Sequence, residues 1–191
     1  MVLDPSIVIY DACVLYPFHL RNIVVQIAVD RVVDARWTDE IHDEWIRNLV
    51  ARVPGIPIER LQITRKLMDD ALPDATVAGY QAHLEAITLP DPDDRHVVAA
   101  AITAGASVIL TWNLRDFPTR ELRKHSLVRQ TPDIFLTDLY EKAPDLTVAS
   151  LANARRNLSK TRVSPSDFID ILMNQKLSRL ATSVKKHRTD L

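Results

Sequence analysis

Four carboxylates fall where an α/β chain passes from one element to the next: Asp11, Glu44, Asp94 and Asp116. Asp11 follows the β-rich run at residues 6–10. Glu44 lies in the first two turns of a helix that follows a second short strand. Asp94 opens a helix, in company with Asp91 and Asp93. Asp116 follows the apolar run Val108-Ile109-Leu110, with Thr111 and Asn113 between them. These are hard oxygen donors with no Cys or His cluster beside them, a donor set that suits Mg²⁺ or Mn²⁺. Like charges brought together do not all ionise without a cation, so converging acids imply a metal or raised pKa values. A metal held by carboxylates beside a phosphate is a common solution for phosphodiester hydrolysis. Asn113 adds a ligand or holds a water without adding charge, and Thr111 can donate to a phosphate oxygen. Singly, each acid is a weak signal, because an acid at a helix start is usually a cap. Glu44 has the plainer reading of an exposed acid balanced by Arg47 or Asn48. Asp91 and Asp93 have no settled role, and either stands in for Asp94 if the register shifts.

The elements that must position these residues are readable. Residues 89–118 form an acidic turn, a helix with Val97, Val98, Ala101 and Ile102 on its apolar side and Gly105 as its stop, a buried strand, and a second polar turn. Before this stretch, residues 18–29 carry a helical stripe at Ile23, Val24 and Ile27. Residues 32–37 suit a second strand, and Thr38 is placed as an N-cap for a helix whose buried face is Ile41, Trp45 and Leu49. Residues 58–72 form an amphipathic helix with Leu61, Ile63, Leu67 and Met68 on one side. Residues 80–84 make a short helical turn and 86–89 a strand. Beyond Pro118 come a short helix at 119–125, an edge strand at 127–129 and a helix from Thr131 to Tyr140, ended by Pro144. The next helix opens at Asp145 or Thr147 and runs to Leu158. Ser164-Pro-Ser-Asp starts another, with Phe168, Ile171 and Leu172 on its apolar face, and Leu177, Leu180 and Val184 mark a last one. Cys13 and Leu15 read as core. Function in such a sheet collects at the carboxyl ends of the strands. The fold class is α/β: a parallel sheet flanked by helices over residues 1–140, with an α-helical C-terminal extension over 141–191.

Composition narrows the chemistry. The chain has 191 residues, three glycines and one cysteine. So few glycines argue against a phosphate-cradling loop and nucleotide-cofactor chemistry. One cysteine permits no internal disulfide and no cysteine-based zinc site, and it fits a reducing, cytoplasmic setting. No apolar run approaches a membrane span, and Asp4 with no basic region before an apolar stretch gives no sign of a secretory leader. Charge is uneven. Residues 1–149 hold 15 Lys+Arg against 22 Asp+Glu, whereas residues 150–191 hold 9 against 3. An acidic body with a basic tail suits a cation in one place and a polyanion in another. Arg155, Arg156, Lys185 and Lys186, with Lys160, Arg162, Lys176, Arg179 and Arg188 around them, are candidates for holding a polyanion, which the resemblance given below makes an RNA backbone. A basic but merely solvated helical surface, or an interface with a protein partner, is the alternative.

The ordered pieces resemble a PIN domain, the fold of metal-dependent ribonucleases that includes VapC toxins of prokaryotic toxin–antitoxin pairs. They are Ile7-Val-Ile-Tyr-Asp11-Ala-Cys-Val-Leu, Thr38 followed by Glu44, Asp94-Arg-His-Val-Val-Ala-Ala-Ala101, and Val108-Ile-Leu-Thr-Trp-Asn113-Leu-Arg-Asp116-Phe. The similarity covers residues 5 to about 140. Within the family it is greatest to a branch with Asp-Pro-Asp-Asp-Arg-His and Thr-x-Asn-x-x-Asp-Phe-Pro stretches, which often carries a helical C-terminal extension. The resemblance implies an acidic tetrad of Asp11, Glu44, Asp94 and Asp116 around Mg²⁺ (or Mn²⁺), with Asp11, Asp94 and Asp116 as the nearer ligands and Glu44 acting through water. Thr111 and Asn113 match the polar pair after the fourth family strand. Asn113 stands where many members have an aspartate, which leaves one metal or two open. The implied partners are structured RNA such as tRNA or rRNA, a cognate antitoxin and a second copy of the chain. Haloacid-dehalogenase phosphatases also end strand one on Asp but want a second acid two residues on, where this chain has Cys13. Receiver domains gather acids near their first strand, not near residue 93. A catalytically silent PIN-like module that binds RNA or protein is the alternative from another class.

Overall fold

The computed structural model describes residues 6–191; Asp4 lies outside them. Four short strands form one parallel sheet in the order β2-β1-β3-β4. They are β1 (Ile7–Tyr10), β2 (Asp34–Arg36), β3 (Val108–Leu110) and β4 (Val128–Gln130). β1 and β3 are apolar and almost fully buried, as expected of strands covered by helices on both faces. Their carboxyl ends are level, since Tyr10 pairs with Leu110 and Leu110 with Gln130. From β1 the chain crosses one way to β2 and then returns past β1 to β3. The order therefore reverses between β1 and β3, which opens a crevice at their carboxyl ends.

The helices are α1 (Ala12–Leu15), α2 (Phe18–Val29), α3 (Asp39–Arg52), α4 (Ile58–Ala71), α5 (Arg95–Ala104), α6 (Thr119–Arg123), α7 (Pro132–Lys142), α8 (Pro144–Arg156), α9 (Pro165–Asn174) and α10 (Ser178–Val184). Among the described residues no helix is long and apolar enough to cross a membrane. Three ends are set as their residues dictate. Thr38 accepts the Ile41 N–H at 3.1 Å and starts α3. Gly105, at φ +64°, stops α5 in the left-handed region. Ser164 and Asp167 form a reciprocal capping box at α9.

Three expectations need correction. Residues 86–89 are not a strand: Ile87 and Leu89 are buried, but the Thr88 N–H donates to the buried carboxylate of Glu121 (3.2 Å) and not to a neighbouring strand. On α4 only Leu61 and Met68 are buried; Ile63 and Leu67 face solvent. Pro144 does not merely end α7. It is the first residue of α8, where its missing N–H costs nothing.

The C-terminal helices share the core of the sheet. Leu151, Ala154, Phe168, Leu172, Leu177 and Leu180 are fully buried in the same apolar cluster as Ile9 and Ile109. The Asn22 side chain on α2 donates to the Ala154 carbonyl of α8 at 2.7 Å. Asp133, in the first turn of α7, takes the Arg179 N–H (3.1 Å), the Leu180 N–H (3.0 Å) and the Ser178 hydroxyl (3.4 Å) at the start of α10. A carboxylate thus caps a neighbouring helix and fixes α10 to α7. Asp133→Ala is expected to cost about 2–3 kcal/mol, the loss of charge-assisted bonds at a buried helix end. Thermal unfolding measures the loss, and hydrogen exchange should quicken in α10 before β1.

Candidate active site

Asp11 stands at the carboxyl end of β1 and is 2% exposed. Across the crevice, Thr111 follows β3 and is fully buried. The Thr111 hydroxyl donates to Asp11 Oδ2 at 2.6 Å, and the Cys13 thiol donates to the same oxygen at 3.0 Å. The second turn is locked in behind them. The Asn113 N–H donates to Thr111 Oγ1 (2.9 Å), and the Trp112 N–H to Cys13 Sγ (3.2 Å). Burial pushes the Asp11 carboxyl up. The Thr111 and Cys13 bonds oppose that shift, and the Glu44 charge adds to it. Burial and the Asp11 carboxylate push the Cys13 thiol up, so Cys13 stays protonated and serves as a donor. Sequence reading gave Cys13 to the core; its position two residues past a buried acid was the available signal.

Asp94 is the last residue of the short 3₁₀ turn Pro92–Asp94 and stands at the N-cap position of α5 without a side-chain capping bond. It is half-buried, and its carboxyl is pushed up to about 7. Burial is the largest cause, followed by the charges of Asp11, Asp116, Asp91 and Glu44. Asp94 therefore feels every other acid of the expected tetrad. Asp116 is reached by a turn in which its N–H donates to the Asn113 carbonyl at 3.1 Å. Asp91 and Asp93 are exposed, and the Asp91 side chain accepts the Asp93 N–H (2.9 Å), a local cap. Glu44 and Asn113 line one cleft together with Cys13, Tyr16, Asn48 and Arg52. Glu44 Oε2 lies 3.8 Å from Nε2 of the buried His96, whose Nδ1 is 3.9 Å from Glu40 Oε2. Sequence reading passed over His96. Two residues beyond Asp94, on the first turn of α5, it faces α3 rather than solvent.

The four cations chosen as RNA contacts are not gathered at this crevice. Arg155 donates to the backbone carbonyls of Leu191 and Val163, both at 2.8 Å. Arg156 is exposed and bonds Asn153. Lys185 and Lys186 follow α10, with the Lys186 ammonium 5.7 Å from the Tyr140 ring, at the end of α7 away from Asp133.

The donor chemistry fits a hard divalent cation. The charged form of Asp94 is disfavoured first by burial and then by four surrounding carboxylates, and a cation would offset both. As the side chains stand, no group of three or more His, Cys, Asp or Glu among the described residues is arranged to hold an ion. Asp11, Asp94 and Asp116 would hold it, with Glu44 at longer range.

Comparison with known proteins gives the family. The PIN domain model matches residues 1–115, and the VapC50 C-terminal domain model matches residues 132–186. A Mycobacterium tuberculosis (strain ATCC 25618 / H37Rv) protein named "Putative ribonuclease VapC50" is 41% identical over 64 residues. That match covers 32% of this chain and spans 38% of the relative's length. No solved structure matches. The chain belongs to the PIN-domain family, in the VapC-type form that carries a C-terminal extension.

Proposed function

We propose that this chain is a Mg²⁺-dependent endoribonuclease that hydrolyses phosphodiester bonds of structured RNA, tRNA or rRNA, in the cytoplasm as the toxin of a type II toxin–antitoxin pair. Residues 1–140 form the nuclease unit and residues 141–191 a basic extension that helps hold RNA through Arg155, Arg156, Lys185 and Lys186. The observation that carries the reading is the crevice between β1 and β3, where Thr111 holds the buried Asp11 and where burial, then the charges of Asp11, Asp116, Asp91 and Glu44, push the Asp94 carboxyl up. The named ribonuclease relative and the PIN match support the reaction class.

A bound divalent cation, Mg²⁺ or Mn²⁺, supplies Lewis acidity and a water of lowered pKa. This chain's residues supply orientation. Thr111 and Cys13 fix Asp11 Oδ2, which turns the Asp11 carboxylate into a rigid donor. His96 lies against Glu44 and limits its swing. Asn113 gives the rim of the cleft a neutral amide where another carboxylate would repel phosphate. A cognate antitoxin covers this crevice in the resting complex, and a second copy of the chain forms a homodimer.

Incubating total cellular RNA with purified, antitoxin-free protein in Mg²⁺, Mn²⁺ or EDTA tests the reading. Discrete fragments in either metal and none in EDTA are expected. Intact RNA in every condition, from a folded protein, would sink the nuclease and leave a binding module.

A further inference from the structure

The C-terminal extension reaches the acid site through its α9–α10 turn. The path is continuous. The Thr111 N–H donates to the Gln130 carbonyl (3.0 Å), so the end of β4 lies beside the end of β3. α7 starts two residues later, and its Asp133 grips the first residues of α10. The start of α10 and the turn before it therefore lie at the carboxyl end of the sheet, where Asp11 and Thr111 are. That turn carries Lys176, exposed and at φ +61°, with its ammonium 6.0 Å from the centre of the Trp112 ring. Trp112 is the residue between Thr111 and Asn113.

We propose that Lys176 is the extension's site-proximal RNA contact, gripping a backbone phosphate next to the bond presented to the acid cluster, with Trp112 beneath it. The inference rests on the nuclease reading and deepens it. Four carboxylates repel a polyanion, and the charges that weigh most on Asp94 are all carboxylates. A cation on the rim, outside the cluster, supplies attraction without neutralising the acids. Lys185 and Lys186 lie at the far end of α7 and do not do this for the cleaved bond. Leu177, buried next to Lys176, anchors the turn, so the ammonium is delivered from a fixed base.

Trp112 reports on the site directly. Of the three tryptophans, Trp37 and Trp45 are fully buried, so RNA arriving at the rim quenches Trp112 alone. The test uses full-length chains carrying Asp11→Asn, so that RNA stays intact, with mixed tRNA as probe in Mg²⁺. Lys176→Gly removes the cation in a backbone conformation that glycine favours, which separates lost charge from lost fold. It is expected to weaken tRNA affinity about three- to tenfold, to reduce the slope of log affinity against log salt by about 0.7–0.9, and to abolish most Trp112 quenching. Lys176→Arg should restore all three. Unchanged slope and quenching in Lys176→Gly, failure of Arg to rescue, or no tRNA binding by the parent chain would each overturn the proposal. Failure of the nuclease reading shows separately, as uncut RNA with the wild-type chain.

Discussion

Asp11→Asn is expected to lower RNA cleavage by about a hundred- to a thousandfold, the usual size for removing one preorganised charge from a reacting centre. The fold should survive. Asparagine has nearly the same shape, and its carbonyl oxygen still accepts from Thr111 and Cys13, which now meet on Asp11 Oδ2. Burial already disfavours the charged form of Asp11, so a neutral amide removes a penalty rather than creating one. Single-turnover cleavage with circular dichroism on the same sample separates the two effects. A variant that cuts within tenfold of wild type would remove Asp11 from the machinery. Thr111→Val is the companion experiment. It keeps the charge and deletes its strongest neutral donor, so stability should fall by about 1–3 kcal/mol. Cleavage falls less than in Asp11→Asn.

Asp94→Asn should do the opposite to stability. Burial, with the neighbouring carboxylates, pushes the folded carboxyl up to about 7, against 3.8 for an unperturbed one. Between those values the folded state binds more protons than the unfolded state, so stability contributed by Asp94 falls as pH rises from about 4 to about 7 and stays low above. The full shift would be worth about 4 kcal/mol. Half the group is in contact with solvent, and screening reduces this to about 1–2 kcal/mol. For a chain of this size that is a melting point about 3–6 °C higher for Asp94→Asn at pH 8, and no difference at pH 4. Mg²⁺ should raise the melting point of the wild type more than that of the variant, because one of the three carboxylates that would hold it is gone. Melts from pH 4 to 8, with and without Mg²⁺, make the comparison; a variant no more stable than wild type at pH 8 would show that the acids do not strain one another.

What the sequence revealed were features written into local chemistry. Thr38 as N-cap, Gly105 as helix stop, the helix start at Ser164 and the all-apolar β3 each depend on a few neighbouring residues, and each is found where the pattern puts it. The acids at element ends were legible for the same reason: a parallel sheet sends every strand end to one edge. Features that depend on partners far along the chain were not. Ile87 and Leu89 alternate like a strand, but whether a strand forms depends on a neighbour with free backbone groups, and here Glu121 takes the Thr88 N–H instead. Ile63 and Leu67 are as apolar as Leu61 and Met68, yet α4 turns them to solvent. Lys176 was one cation among nine in residues 150–191. Its place beside Trp112, together with Asp133's hold on α10, singles it out.

The bond from Thr111 to Asp11 joins residues 100 positions apart. Closing such a span is among the slow events of folding, since the ordering cost precedes the contacts that reward it. The consequence concerns timing. Asp116 emerges last of the four acids, and Thr111 reaches Asp11 only after β3 has paired with β1. On the nuclease reading, a chain still being made on a ribosome has its first strand and no assembled acid site. The acids come together late, and on that reading the RNA beside a growing chain is spared until nearly all of the sheet is in place.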